Sequence, residues 1–207
     1  MKTKHLTLMV VMLASCMAGK AQTEDMVSDN MHLGFAPFGG ITQTFKCSPE
    51  KYKYKFKDCW NVVWDYDMRF DDDFSFLFGA EFGKGKFESY DLEGTPFFNP
   101  TPDDLTFFSL HLLLGLHWSL DKNGRFDLGT YLGPGISYLK GGPLHHMTID
   151  PVGKIRLQGY VTNTFGLFIG AGYRYHFGFE GLFDKKKNEG YYSIKGPQWN
   201  AEVGIRS

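Results

Sequence analysis

Residues capable of nucleophilic or acid–base chemistry occur in several segments of the chain. Ser109 and His111 stand two residues apart, a spacing that places both side chains on one face of a strand. Together with Glu81 or Asp127 they supply the residue types of a Ser–His–acid triad in a membrane-embedded esterase. The sequence contains no G-x-S-x-G, H-E-x-x-H or phosphate-loop spacing, which excludes the commoner enzyme classes. We therefore expect a protein that is not an enzyme and uses no cofactor.

Histidines and cysteines are the residues to consider for a metal site. His145 and His146 are adjacent, and neighbours on a strand point to opposite faces, so they chelate a metal poorly. Cys47 and Cys59 have no His pair close to them in sequence, so they fall short of the four ligands of a structural zinc. The sequence predicts no metal site.

The N-terminal segment is typical of a signal peptide. The basic start Met1–His5 is followed by an apolar stretch, Leu6–Ala18, which is shorter than the ~20 residues that a spanning helix needs. Small residues before Gln22 favour cleavage after Ala21, so that residues 1–21 are the signal peptide and residues 22–207 the mature domain. Alternatively, residues 13–16 form a lipobox, and an acylated Cys16 begins the mature chain.

Export also bears on the two remaining cysteines. Disulfides persist in oxidising compartments, so we expect Cys47 and Cys59 to be bridged and to close the first external loop. In the chain-entropy model, closing a loop of this length stabilises the fold by about 3 kcal/mol.

Composition excludes two further classes of protein. Aromatic residues make up 17% of the 207 residues, which argues against disorder. The 22 basic and 23 acidic side chains give a formal charge of −1. No basic cluster exceeds Lys185–Lys187, so we expect no nucleic-acid partner.

Strict alternation of apolar and polar residues dominates the mature chain. In the segment 60–70, Trp64 and Tyr66 share one face and Asp65, Asp67 and Arg69 the other, which predicts a strand. The same period recurs four times and, more weakly, three times, giving eight strands. The segments are 31–45, 60–70, 74–83, 108–120, 126–138, 155–162, 165–180 and 199–205. Pro37 and Gly39-Gly40 predict a bulge or a local break in the first strand.

The connections between these strands alternate in length. Long connections are expected at 46–59, 84–105, 139–154 and 180–198, and short turns at 71–73, 121–124 and 163–164. Transmembrane barrels have this asymmetry, with short periplasmic turns and longer external loops. Lipid also removes the penalty of an apolar exterior, and a closed barrel pairs every backbone group. The predicted fold is all-β, an eight-stranded antiparallel up-and-down transmembrane β-barrel.

The face opposite the apolar one would then line the lumen. We expect a polar network there in which charges of both signs pair. Its predicted members are Asp65, Asp67, Arg69, Glu81, His111, His117, Asp127, Arg174, His176 and Glu202. A narrow pore or small-molecule carrier is the alternative, and a soluble calycin-like binding barrel would need the opposite polarity.

The chain resembles the small outer-membrane β-barrels of Gram-negative bacteria, the porin-like eight-stranded proteins related in shape to OmpA and OmpX. The resemblance is carried by residues 20–22, by the strand 60–70, and by residues 165–175. It implies a cell outer-membrane location, assembly by the barrel assembly machinery, and a structural or surface-interaction role through external loops. Outer-membrane lipid and lipopolysaccharide are the expected partners, since lysines of the loops would attract phosphate groups.

Overall fold

The structure is a computed structural model of the 207-residue chain. It describes residues 29–47, 50–70, 73–93, 104–122, 125–141, 144–162, 164–178 and 192–207. The predicted signal peptide and the lipobox at Cys16 lie outside the described residues. Within those ranges, no helix has the length and apolar character needed to cross a membrane.

Eight antiparallel strands form one closed barrel, which confirms the predicted fold class. Each strand pairs with the next one in sequence, and the first pairs with the last. The strands are β1 (Asn30–Cys47), β2 (Glu50–Arg69), β3 (Phe74–Glu93), β4 (Leu105–Ser119), β5 (Phe126–Gly141), β6 (Leu144–Tyr160), β7 (Gly166–Gly178) and β8 (Tyr192–Arg206). Closure leaves the sheet without a free edge along the paired length.

The two faces of this sheet have opposite chemistry, as the alternation predicts. Phe76 and Leu112 are 44% and 52% exposed on the outside, whereas Asp65 has no exposure on the inside. Thirty large apolar or aromatic side chains are exposed among the described residues. That is far more than the few-hundred-Å² patch that a soluble monomer tolerates. This exterior, here called the apolar belt, is therefore a surface made for hydrocarbon.

The two ends of the barrel differ in strand length. One end, the turn end, carries the connections 70–73, 120–125 and 161–165. At the other, the extended end, β1 continues to Cys47 and β2 begins at Glu50, while β5 and β6 are separated only by residues 142 and 143. The predicted long loops 46–59 and 139–154 are therefore mostly strand. The reason is that the alternating segment 51–57 continues the ladder, with Tyr54 opposite Gln43.

This extension also corrects the place of the histidine pair. His145 and His146 belong to β6, not to a loop, and His146 is 4% exposed. The ring of His146 is buried because it points to the inside of the barrel, like Thr148 and Asp150 at alternate positions of the same strand.

Bulges in β1 and β2 change which side chains face inward. In β1 the pairing with β8 shifts between Phe35 and Phe38, which confirms the bulge predicted from Pro37. In β2 the pairing with β3 shifts between Lys57 and Trp60, and Asp58 has a φ of 48°. Asp tolerates this left-handed conformation better than most residues.

The bulge at Asp58 turns Cys59 inward, and it is a free, buried thiol. Its Sγ donates weakly to the carbonyls of Phe56 and Lys57 at 3.7 and 3.8 Å. Phe56 pairs with Ile41, whereas Cys47 pairs with Glu50 at the tip of the hairpin. At ~3.3 Å per residue, the two cysteines are more than ~15 Å apart along the strands. A disulfide needs Cα atoms within about 7 Å, so the predicted Cys47–Cys59 bridge is wrong.

The buried thiol gives a direct test. Burial, together with the charge of Asp58, raises the pKa of Cys59 to about 12, so the reactive thiolate is scarce at neutral pH. In a Cys47→Ser variant folded in detergent, Cys59 should resist maleimide at pH 7.5 and become labelled once the chain is unfolded. Mass spectrometry of the labelled protein provides the measurement. In the unmodified chain both cysteines should label after unfolding without a reductant, and a requirement for reductant would restore the disulfide.

Candidate functional site in the barrel interior

The ten predicted lumen residues all lie on the inner side of the barrel wall. Nine of them are buried, and Arg69, near the turn end of β2, is partly buried. They come from six strands, β2, β3, β4, β5, β7 and β8. The barrel therefore brings together polar groups that are up to 137 positions apart in sequence, from Asp65 to Glu202.

Asp65 is the centre of the network. One carboxylate oxygen lies 2.8 Å from Nε2 of His111, and the other accepts from Nζ of Lys154 at 3.1 Å and from the guanidinium of Arg156. The guanidinium of Arg156 continues to Oε1 of Glu202 at 2.6 Å. Since β2 and β6 are four strands apart in the eight-stranded ring, the Asp65–Arg156 pair spans the lumen.

A second group of charges extends the network toward the extended end. Glu81 accepts from Nζ of Lys154 at 2.8 Å and from Nη2 of Arg174 at 2.9 Å. Nη1 of Arg174 lies 3.6 Å from the carboxylate of Asp150, which also lies 3.0 Å from Nδ1 of His176. Lys154 joins this group to Asp65, so the two parts form one continuous network.

A third group lies at the turn end. Oδ2 of Asp127 accepts from Nη2 of Arg69 at 2.8 Å and from Nη1 of Arg206 at 3.0 Å. The guanidinium of Arg206 also lies 4.1 Å from the ring centroid of Tyr160, a cation–π distance. Arg69 and Arg206 come from strands on different sides of Asp127, so this group ties β2, β5 and β8 together.

The central cations Lys154 and Arg156, and the acid Asp150, were missed by the sequence prediction. All three belong to β6; Asp150 and Lys154 lie in the segment 139–154, for which the sequence predicts a loop, and Arg156 lies in the predicted strand 155–162. The alternation typical of a strand is present in this segment. The polar residues that alternate with outward residues are Thr148, Asp150, Lys154, Arg156 and Gln158. The alternation is weak because the outward face includes Pro151 and Gly153, which carry little apolar surface.

Charges inside the described lumen are almost balanced. Six carboxylates face five lysine or arginine cations. The acids are Asp65, Asp67, Glu81, Asp127, Asp150 and Glu202, and the cations are Arg69, Lys154, Arg156, Arg174 and Arg206. Asp67 differs from the other acids because it contacts the ring of His117 at 3.6 Å and the hydroxyl of Tyr131 at 3.1 Å. Near neutrality favours mutual pairing over conduction of a single ion type.

The structure does not assemble the Ser109–His111 pair into a triad. Oγ of Ser109 bonds to Oγ of Ser137 at 2.8 Å, and Nε2 of His111 is engaged by Asp65. Ser109 and His111 therefore bond to different partners, and among the described residues no base contacts the Ser109 hydroxyl.

A different serine does touch a histidine. Oγ of Ser75 lies 2.8 Å from Nε2 of His117, and Nη2 of Arg69 lies 2.9 Å from Nδ1 of the same ring. A guanidinium only donates, so Nδ1 accepts and Nε2 carries the proton, which it donates to Ser75. In that tautomer His117 cannot take a proton from the serine.

The extended end of the lumen is filled by apolar side chains, here called the plug. Its members are Ile41, Tyr54, Phe56, Cys59, Leu105, Phe107 and Leu139. Each is 3% exposed or less. Nearer the ionic network, a cavity of about 10 Å³ is lined in part by Glu81, Lys154, Arg174 and Asn200. That volume is at the lower limit for a single water molecule, so this cavity leaves no room for a larger molecule.

Three solved outer-membrane proteins are similar to this chain in structure. OprG from Pseudomonas aeruginosa is 11% identical, with 87% of this chain and 95% of that chain covered and a TM-score of 0.52. AlkL is 10% identical, with 90% of this chain and 92% of that chain covered and a TM-score of 0.50. Ail of Yersinia pestis is 16% identical, with 87% of this chain and 100% of that chain covered and a TM-score of 0.44. The chain has the outer-membrane β-barrel fold. No protein-family model and no curated protein matches the sequence.

The lumen of this outer-membrane β-barrel offers no evident metal centre. Within the described ranges, no group of three or more His, Cys, Asp or Glu side chains is arranged to hold a metal ion. The histidines instead bond to acids, hydroxyls and guanidinium groups of the network.

Removing the central acid should therefore destabilise the barrel strongly. Asp65→Asn leaves Arg156 and Lys154 with one fewer compensating charge, and breaking a buried pair on one side costs about 3–5 kcal/mol. Guanidinium unfolding in phospholipid vesicles measures this loss. The matched control is Glu88→Gln, which breaks the exposed pair with Lys57 at 3.7 Å and should cost less than about 1 kcal/mol. Equal effects of the two variants would contradict a network centred on Asp65.

Proposed function

We propose that this protein resides in the cell outer membrane and has a structural or surface-interaction role, with the extended end facing outward. The observation that carries the proposal is the closed lumen. Charges bonded across the barrel occupy its middle and its turn end, and the plug fills its extended end. A barrel closed in this way presents its outer wall and its external surface as the places where other molecules can bind.

Lysines on the extended end support the surface role. Lys53 is exposed on β2, Lys84 on β3 and Lys140 on β5. All of them lie beyond the apolar belt on the same side, where they would attract the phosphate groups of outer-membrane lipid and lipopolysaccharide. The predicted loop cations Lys185–Lys187 and the side chain of Lys51 lie outside the described residues. Assembly by the barrel assembly machinery completes the proposal, since a closed transmembrane barrel must be folded into its bilayer.

A narrow pore or small-molecule carrier is the second candidate, and one observation favours it. Several buried polar atoms have no hydrogen-bond partner among the described residues, including Oδ1 of Asp67, Oε1 of Gln158 and Oε2 of Glu202. Buried polar atoms of this kind are usually bonded to ordered water. Water could enter from the turn end to reach them, but a continuous path would still have to pass the plug.

Planar-bilayer recording separates the two candidates. The purified barrel should give no discrete conductance steps in 1 M KCl, because the ion pairs and the plug leave no continuous aqueous path. A general porin reconstituted in parallel shows that the bilayer reports open channels. Heat-modifiable migration on a gel shows that the tested sample is a folded barrel. Reproducible steps from such a sample would favour the pore over the surface role.

A further inference from the structure

Two lysines with no ion-pair partner in the described part of the chain flank a threonine at the border of the apolar belt. On the outer face, Lys84 of β3 pairs directly with Thr106 of β4, and Thr106 pairs with Lys140 of β5. Both lysines are exposed and Thr106 is half-buried. Adjacent strands lie about 4.8 Å apart, so the Cα atoms of the two lysines are about 10 Å apart with the hydroxyl between them.

The next outward row toward the turn end is aromatic. Phe82 pairs with Phe108, and Phe108 pairs with Tyr138. These rings are 45%, 45% and 43% exposed, and each lies two residues along its strand from a member of the row of Lys84, Thr106 and Lys140. The change from aromatic to cationic therefore occurs within one step along three neighbouring strands, as expected where acyl chains give way to headgroups.

Neighbouring lysines already have acidic partners, and these two do not. Lys57 pairs with Glu88 at 3.7 Å and Lys86 with Asp58 at 3.8 Å. No ion pair or hydrogen bond joins the side chain of Lys84 or Lys140 to another described residue. Asp104 comes directly before β4, two residues before Thr106, and its Oδ1 accepts from the backbone N–H of Phe87 at 3.3 Å.

From this arrangement we infer that Lys84, Thr106 and Lys140 form a binding site for the phosphate group of a lipid in the surrounding leaflet. Two flexible ammonium groups about 10 Å apart at their Cα atoms can both reach one phosphate, and the threonine hydroxyl can donate a third bond. The aromatic row beneath them would contact the acyl chains of the same molecule. The site rests on the proposed outer-membrane location and gives the surface role a ligand, a phosphorylated lipid.

Binding of bisphosphorylated lipid A to the full-length barrel in detergent micelles tests the site. Native mass spectrometry gives the fraction of protein that carries a lipid at each lipid concentration. Because a lysine near an anionic lipid surface contributes about fivefold in affinity, Lys84→Gln with Lys140→Gln should weaken binding about 20-fold. The matched control, Lys57→Gln with Lys86→Gln, removes two lysines that already have acidic partners and should change binding by no more than about twofold.

The outcomes separate this site from its alternatives. Equal weakening in the two double variants would overturn the site in favour of general charge attraction. Displacement of lipid A by a tenfold excess of inorganic phosphate would overturn a lipid ligand in favour of a free anion. Failure of the unmodified, heat-modifiable barrel to bind lipid A would overturn the site while leaving the proposed membrane location intact. Loss of heat modifiability in the unmodified protein would instead count against the proposed function.

Discussion

Pairing of buried charges across the lumen is the constraint on which the rest of this barrel depends. Hydrocarbon outside the wall cannot solvate a charge, so every ionised group that points inward needs a partner within the protein. Asp65 on β2 meets Arg156 and Lys154 on β6, and Arg156 meets Glu202 on β8. These contacts join strands that are not neighbours in the sheet. They therefore connect opposite walls of the barrel, while backbone hydrogen bonds connect neighbouring strands around it.

The same constraint explains where the wall lacks side chains. At Gly79 a Cβ atom would lie 1.8 Å from Oδ1 of Asp65 and 2.5 Å from Nε2 of His111. Any other residue there would push the central acid away from its partners. At Gly115 a Cβ atom would lie 2.3 Å from Oγ of Ser75 and 2.9 Å from the ring of Tyr131. Glycines on β3 and β4 thus leave room for the polar groups that cross the lumen.

The sequence allowed the fold to be predicted because lipid and lumen select opposite residue types at alternate positions. Segments such as 60–70 and 108–120 show that contrast at nearly every position, with Val63 and Leu113 as the apolar exceptions on the inward face, so their strands and faces were predicted correctly. The contrast weakens before residue 155 of β6, where Pro151 and Gly153 stand on the outward face, so the predicted loop 139–154 included Asp150 and Lys154. The disulfide prediction failed for a different reason. The spacing of Cys47 and Cys59 in sequence does not reveal that Cys47 lies at the tip of the β1–β2 hairpin and Cys59 much further along β2. Register and cross-lumen partners depend on contacts between distant strands, which alternation alone cannot specify.

The central claim is that hydrocarbon contacts one face of each strand, while the other face is buried in the lumen, where the ionic network lies. Spin-label accessibility along β4, from Ser109 to Leu116 in a variant without Cys47 and Cys59, measures this most directly in phospholipid vesicles. Lipid-soluble oxygen should reach labels at Leu110, Leu112, Leu114 and Leu116, and should reach the intervening positions much less, with a period of two. A water-soluble nickel chelate that reached the label at Leu112 or Leu114, or the absence of any alternation, would contradict the account.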